Sequence, residues 1–223
     1  MLRDPLRRDE RGSTMIELLV SMAVFSLAVA LAFGAVIQVM RMSNEAQQDS
    51  DAQSELRLAL AQIDRQVRSG NVLFSPAEEP SLLTTCDAVG SFAGTCMRIY
   101  TQSNGDQKCV QWQLMEDPDD AGTYQLRTRS WDPNWATGGG DVTPWGVVAR
   151  GLHYEAGVTP APFTLSRALE TGSDVTAYGD RMLVVHLEAT SERRSDHPIA
   201  IDSSITGRNT SYGYSAGQCT PVP

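Results

Sequence analysis

Four cysteines, Cys86, Cys96, Cys109 and Cys219, carry the plainest chemistry in this chain. All lie downstream of a long apolar run, none forms a C-x-x-C pair, and their number is even. On one side of a membrane segment such a set suggests two disulfides in an oxidising compartment; the spacing fits no zinc site, and buried free thiols are the alternative. The next candidate is Glu17, the single ionisable residue between Met15 and Met40. An ionised carboxylate near a bilayer interior costs about 2.5–3.5 kcal/mol even on the lenient insertion scale. Glu17 therefore calls either for a cationic partner or for a depth at which lipid headgroups keep it hydrated.

The other reactive residue types form no recognisable constellation. His153, His186 and His197 are scattered, without a Gly-x-Ser-x-Gly or His-Glu-x-x-His motif. Each is expected to be structural, and the chain is expected not to be an enzyme. Asp117, Asp119 and Asp120 could offer oxygens to calcium, but the stretch lacks the spacing of an EF-hand loop, which favours a solvated acidic turn. Trp112, Trp131, Trp135 and Trp145 could line an aromatic ligand surface, although core packing is the default for indoles. Asn209-Thr210-Ser211 matches a glycosylation sequon, a motif short enough to arise by chance. No metal or cofactor is implied. The formal charge of −9 and the single lysine, Lys108, disfavour nonspecific nucleic-acid binding by the whole domain. A local Arg patch is not placed by the sequence. An Arg-lined groove with exposed Trp would mark a binding surface; a cleft grouping a histidine with carboxylates would mark catalysis.

The elements that hold these residues follow from periodicity. Met15–Met40 is long enough, at about 1.5 Å per residue, to cross a hydrocarbon core of about 30 Å. It is also too long for the h-region of a secretory signal peptide. Arg3, Arg7, Arg8 and Arg11 precede it and Arg41 follows, so the positive-inside bias puts the N-terminus in the cytoplasm and the remainder outside. Beyond Arg41, Ala52, Leu56, Leu60, Ile63 and Val67 recur as one apolar stripe, with Asp51, Glu55, Arg57, Asp64, Arg65 and Arg68 largely on the other side. The spacing predicts one helix from about Thr14 to about Ser69, with Gly70 as its C-cap. Gly34 is either a site of local melting or one of close packing.

From Val72 onward the pattern becomes short alternating segments between turn residues, which predicts an antiparallel β domain. Met97–Gln102 and Gln107–Met115 flank an Asn104-Gly105 turn, and that register puts Tyr100, not Cys96, opposite Cys109. Further strands are expected at Tyr124–Ser130, Val147–Tyr154, Met182–Ala189 and Ile199–Thr206. Trp131–Trp145 and Glu155–Asp180 read as irregular connections, whose Gly138-Gly139-Gly140 and Pro160-Ala161-Pro162 suggest mobility. Four cysteines allow three pairings; a Cys86–Cys96 local loop with Cys109–Cys219 tying down the tail is the expectation. The fold class is thus α+β: a charged N-terminal segment at 1–12, an apolar helix of membrane-spanning length at 13–40, an amphipathic helix at 41–69 and a β-rich domain at 70–223.

The run Arg11-Gly12-Ser13-Thr14-Met15-Ile16-Glu17-Leu18-Leu19-Val20 resembles the prepilin processing motif of type IV pilin-like proteins: a short charged leader, a glycine, then a glutamate and an aliphatic helix at the right spacing. The resemblance implies cleavage between Gly12 and Ser13 by a prepilin peptidase and methylation of the Ser13 amine. It also implies assembly through Glu17, which would neutralise that amine on a neighbouring subunit. Ser13 stands where the family most often carries phenylalanine or another apolar residue. Implied partners are other pilin or pseudopilin subunits, an inner-membrane assembly platform and membrane lipid. Coarse organisation is most similar to J-type secretion pseudopilins and W-type minor pilins, which makes a minor subunit that initiates or caps a filament the leading expectation. A tip adhesin or DNA-uptake subunit and a membrane-anchored surface enzyme are the competing classes.

Overall fold

The computed structural model describes residues 14–77, 79, 86, 94–102, 105–166, 182–189, 198–207 and 216–223. Helix α1, Met15–Arg68, is unbroken through Gly34, so the local melting considered there is not seen in this chain. A Cβ added at Gly34 would meet nothing within 4 Å, and its small size answers to no packing inside the chain. The chain divides into two compact units, one ending at Gln47 and one from Gln48 onward.

In the first unit α1 is long and apolar enough to cross a membrane, and its most apolar window is 0% buried. Met15, Phe25, Leu31 and Phe33 are among many large apolar side chains left exposed. In the second unit the same helix buries Leu56, Ala59, Ile63 and Val67 completely. These residues recur every three or four positions and form the narrow stripe that a helix presents to a sheet. Ala59 lies at its centre, while Leu60 is only partly buried at its margin.

The helix ends differently from the expectation. Gly70 is not a left-handed cap; it opens strand β1, Gly70–Leu73. A Cβ there would come within 3.0 Å of both Ile99 Cγ2 and the Val67 carbonyl oxygen, so the glycine answers to close approach. Ser69 closes the last turn instead, its amide and hydroxyl both donating to the Arg65 carbonyl.

Among the described residues the sheet continues through β2 (Cys96–Thr101), β3 (Lys108–Glu116), β4 (Tyr124–Trp131), β5 (Gly146–His153), β6 (Phe163–Ser166), β7 (Met182–Ala189) and β8 (Ile199–Thr206). All pairings are antiparallel: β1 to β5 follow one another, β8 pairs along all of β7, and β5 and β6 pair with the C-terminal end and the N-terminal half of β7. Tyr100 lies opposite Cys109, the register read from the Asn-Gly turn. Two strands were unforeseen, β1 at the end of the helix and β6, which the sequence reading placed inside an irregular connection. Four residues behind Pro160 and Pro162 carry too little periodicity to be recognised. Their order comes from distant partners: Phe163 accepts a place opposite Val185, and the His186 amide donates to the Pro162 carbonyl.

The Trp131–Trp145 connection is also more ordered than its glycines suggested. The Asp141 amide donates to Asp132 Oδ2 at 2.8 Å, and Thr143 exchanges hydrogen bonds with Ser130. A Cβ on Gly140 would lie 2.5 Å from Asp132 Cβ, so that glycine permits tight folding of the loop on itself.

Alternation sorts the sheet's two faces. Met97, Ile99, Val110, Trp112, Leu114 and Leu126 join the helix stripe in the main core, where the Trp112 indole N–H donates to Gln66 Oε1 at 2.6 Å. Tyr100, Cys109, Trp131 and Cys219 form a smaller second core. Ile63→Ala should lower unfolding free energy by about 2–5 kcal/mol, the usual cost of truncating a fully buried aliphatic side chain. Denaturant unfolding of the full chain checks this through a lower midpoint at unchanged slope.

Candidate functional site

The sequence reading singled out the start of α1. Gly12 and Ser13 lie outside the described residues. Thr14 starts the helix, its carbonyl accepting from the Glu17 and Leu18 amides at 3.0 and 3.2 Å. Glu17 therefore stands in the first turn, where a carboxylate faces the positive end of the helix dipole. Its side chain is exposed. The hydroxyls of Ser21 and Ser26 donate to the carbonyls one turn back, at 2.8 and 2.7 Å, so these polar groups make no demand on their surroundings. What remains on this segment is an apolar surface with one carboxylate.

Cys86 is joined to Cys96 and Cys109 to Cys219. Glu79, Cys86 and Cys96 bring ligand-type atoms within 4.8 Å of one another, but both sulfurs are bonded to each other, which removes the thiolates a metal would need. Both disulfides sit on the sheet face away from the helix stripe. The same face carries a polar row that sequence reasoning missed. Arg98, Gln111 and Arg129 lie side by side across β2, β3 and β4, and Gln113 neighbours Arg127. Arg98 is buried, pairs with Glu79 at 3.0 Å, donates to the Cys219 carbonyl and lies 4.0 Å from the Phe74 ring centroid. Gln111 Nε2 approaches the sulfurs of Cys86 and Cys96, while its Oε1 accepts from Arg129 Nε at 2.9 Å. The signal for this row was present: Gln111, Gln113, Arg127 and Arg129 alternate with apolar or hydroxyl residues along two adjacent strands.

The tryptophans divide between core and surface. Trp112 and Trp131 are buried, Trp135 donates its indole N–H to the Pro221 carbonyl, and Trp145 lies against two guanidinium groups, with Arg127 Cζ 4.2 Å and Arg129 Cζ 4.6 Å from its ring centroid.

The acidic turn is not an open cation cradle. Asp117 accepts from Arg150 Nη1 at 2.7 and 2.8 Å, and the same nitrogen reaches Asp119 at 3.2 Å, so a guanidinium already stands where calcium would sit. The Asp119 amide, with Arg150 adding to it, holds the Asp117 carboxyl below its ordinary value against the opposing effect of burial.

His186 does meet carboxylates. Its Nδ1 is 2.6 Å from Asp202 on β8 and its Nε2 is 2.9 Å from Glu188 on β7. Carboxylates on both sides favour the imidazolium form of the ring, in which each nitrogen donates to an oxygen. The hollow beside it, lined by His153, Tyr154, Thr159 and Pro162, has a volume of about 10 Å³, room for one water at most.

Residues 7–33 match the family described as the prokaryotic N-terminal methylation motif. Comparison with curated proteins and with solved structures gave no match.

The His186 clamp sets a pH dependence. Burial alone would lower its pKa, but hydrogen bonds to Asp202 and Glu188, with their charges, outweigh it and raise the pKa above the ordinary histidine value. The clamp's stabilisation is therefore complete below an unfolded-state pKa of about 6.5 and is lost as pH rises through the raised folded value. His186→Gln should reduce the Tm of the full chain at pH 6 and have a smaller effect at pH 9. Equal losses at both pH values would show that the imidazolium is not the stabilising species.

Proposed function

From a chain that carries the prokaryotic N-terminal methylation motif ahead of a long apolar helix, and is in this respect a type IV pilin-like protein, we propose a minor structural subunit of a type IV pilus or type II secretion-like pseudopilus. A prepilin peptidase cuts between Gly12 and Ser13, and the Ser13 amine is methylated. The helix first lies in the membrane and then enters the filament core, where Glu17 neutralises the amine of the next subunit. The domain from Gln48 onward faces the oxidising side of the membrane. The subunit helps to initiate or cap the filament.

The observation that supports this reading most directly is the contrast along α1. Its second part buries one apolar stripe within its own unit, as a globular helix does. Its first part exposes large apolar side chains on every face, with Glu17 as its one charge before Arg41. Lipid satisfies such a surface and so do neighbouring copies of the same helix; the carboxylate favours a partner that brings a cation. The two disulfides support the extracytoplasmic placement.

Co-expression with a prepilin peptidase should shorten the protein so that Ser13 becomes its first residue, read by intact mass and N-terminal sequencing; an unchanged N-terminus would remove this reading. Glu17→Ala should still be processed but should enter filaments far less. Leaving a cationic amine unpaired in the core costs about 2.5–3.5 kcal/mol, on the order of 100-fold in equilibrium. Incorporation of the processed variant at the wild-type level would refute the charge pairing.

A further inference from the structure

We propose that Arg127, Arg129 and Trp145 form a docking site for an acidic side chain, an aspartate or glutamate carboxylate presented by a partner polypeptide. This goes beyond the filament reading and does not depend on processing at Gly12 or on Glu17.

The site is built before any partner arrives. Arg127 and Arg129 are neighbours on one face of β4, two residues apart, and each is anchored by a glutamine of β3. Gln113 Oε1 accepts from Arg127 Nε and Nη2 at 3.1 and 2.7 Å, and Gln111 Oε1 accepts from Arg129 Nε at 2.9 Å. Both glutamines are fully buried, so the guanidinium planes are held on rigid strands. Trp145, just before Gly146 on β5, covers both guanidinium groups with its ring.

The arrangement leaves positive charge unanswered. The anchors are neutral amides, and among the described residues no carboxylate pairs with either arginine. By contrast, Arg68, Arg98 and Arg150 each pair with an aspartate or glutamate. Arg129 is 8% exposed, and its Nη2 is buried without a hydrogen-bond partner. Burial lowers the pKa of both groups, and Arg127 lowers that of Arg129 further. Stacking on Trp145 offsets part of that cost, yet a cation–π contact leaves the charge in place and the Nη2 donor free. A carboxylate at the half-buried Arg127 answers the shared charge, because its two oxygens match the parallel N–H donors of a guanidinium.

The rest of the surface selects the source. Val142 and Val147, in the loop and strand that flank Trp145, are 41% and 44% exposed and provide an apolar rim. Aromatic and arginine side chains with an apolar surround are the composition of protein–protein hot spots. Two arginines suit one acidic side chain, whereas a nucleic-acid strand requires a row of cations, which a chain of net charge −9 opposes.

The test uses the full chain in nonionic detergent micelles at low salt, with hexaglutamate as probe. Titration should shift the Nε–H NMR signals of Arg127 and Arg129 saturably, hexaglutamine should leave them unmoved, and Arg127→Gln should weaken binding by about tenfold or more in a protein that still unfolds cooperatively. The wild-type signals alone decide the matter if the variant fails to fold. No shift at these two arginines, or undiminished binding by a folded Arg127→Gln protein, would overturn the proposal. So would inorganic phosphate or a short single-stranded oligonucleotide binding as tightly as hexaglutamate, which would assign the site to phosphate.

Discussion

Strand β3 divides the second unit into its two environments, because successive side chains leave a strand on opposite faces. Val110, Trp112 and Leu114 point into the main core with Leu56, Ala59, Ile63 and Val67 of the helix. Cys109, Gln111 and Gln113, the residues between them, meet Cys219, Arg129 and Arg127 on the other face. A slip of one residue would drive two buried glutamines into the aliphatic core and turn Trp112 away from Gln66. The register therefore specifies the helix contact, the tail disulfide and the arginine anchors together.

Helix α1 solves a different problem in each unit. All its interior backbone groups are satisfied within the helix, which permits the same element to serve in lipid and on a sheet. From Gln48 onward only one stripe is apolar, and burying it orients the helix. From Met15 to Met40 the apolar residues encircle it, so side-chain pattern imposes no single facing and an environment apolar on all sides is required. Glu17 breaks that uniformity at the segment's first turn.

The face away from the helix stripe is polar yet largely buried, which demands partners in place of hydrophobic contact. Arg98 and Glu79 pair in charge within it, and the C-terminal tail adds the Cys219 carbonyl. Arg127 and Arg129 receive only amide oxygens and the Trp145 ring. Neighbouring positions of one sheet thus differ in charge balance.

Much of this was legible from local pattern. An apolar run of span length, its lone glutamate, the amphipathic stripe and the Asn104-Gly105 register each depend on spacing within a few residues, and that spacing specifies which face a side chain occupies. Strand β7 and strand β8 were readable for the same reason. Strand β6 was not, because its order rests on hydrogen bonds to residues about twenty positions away. Nor was the true reason for Gly70, which is the approach of Ile99 across the sheet. The amino-acid sequence by itself determined the membrane-length helix, the strands β2 to β5, β7 and β8, and the motif at residues 7–33, since these follow from periodicity and adjacency. Tertiary structure alone decided that Arg150 neutralises the acidic turn, that His186 is clamped by Asp202 and Glu188, and that Arg127 and Arg129 share Trp145 with no acid beside them among the described residues. Charge balance at a point in space depends on which distant strands the fold brings there.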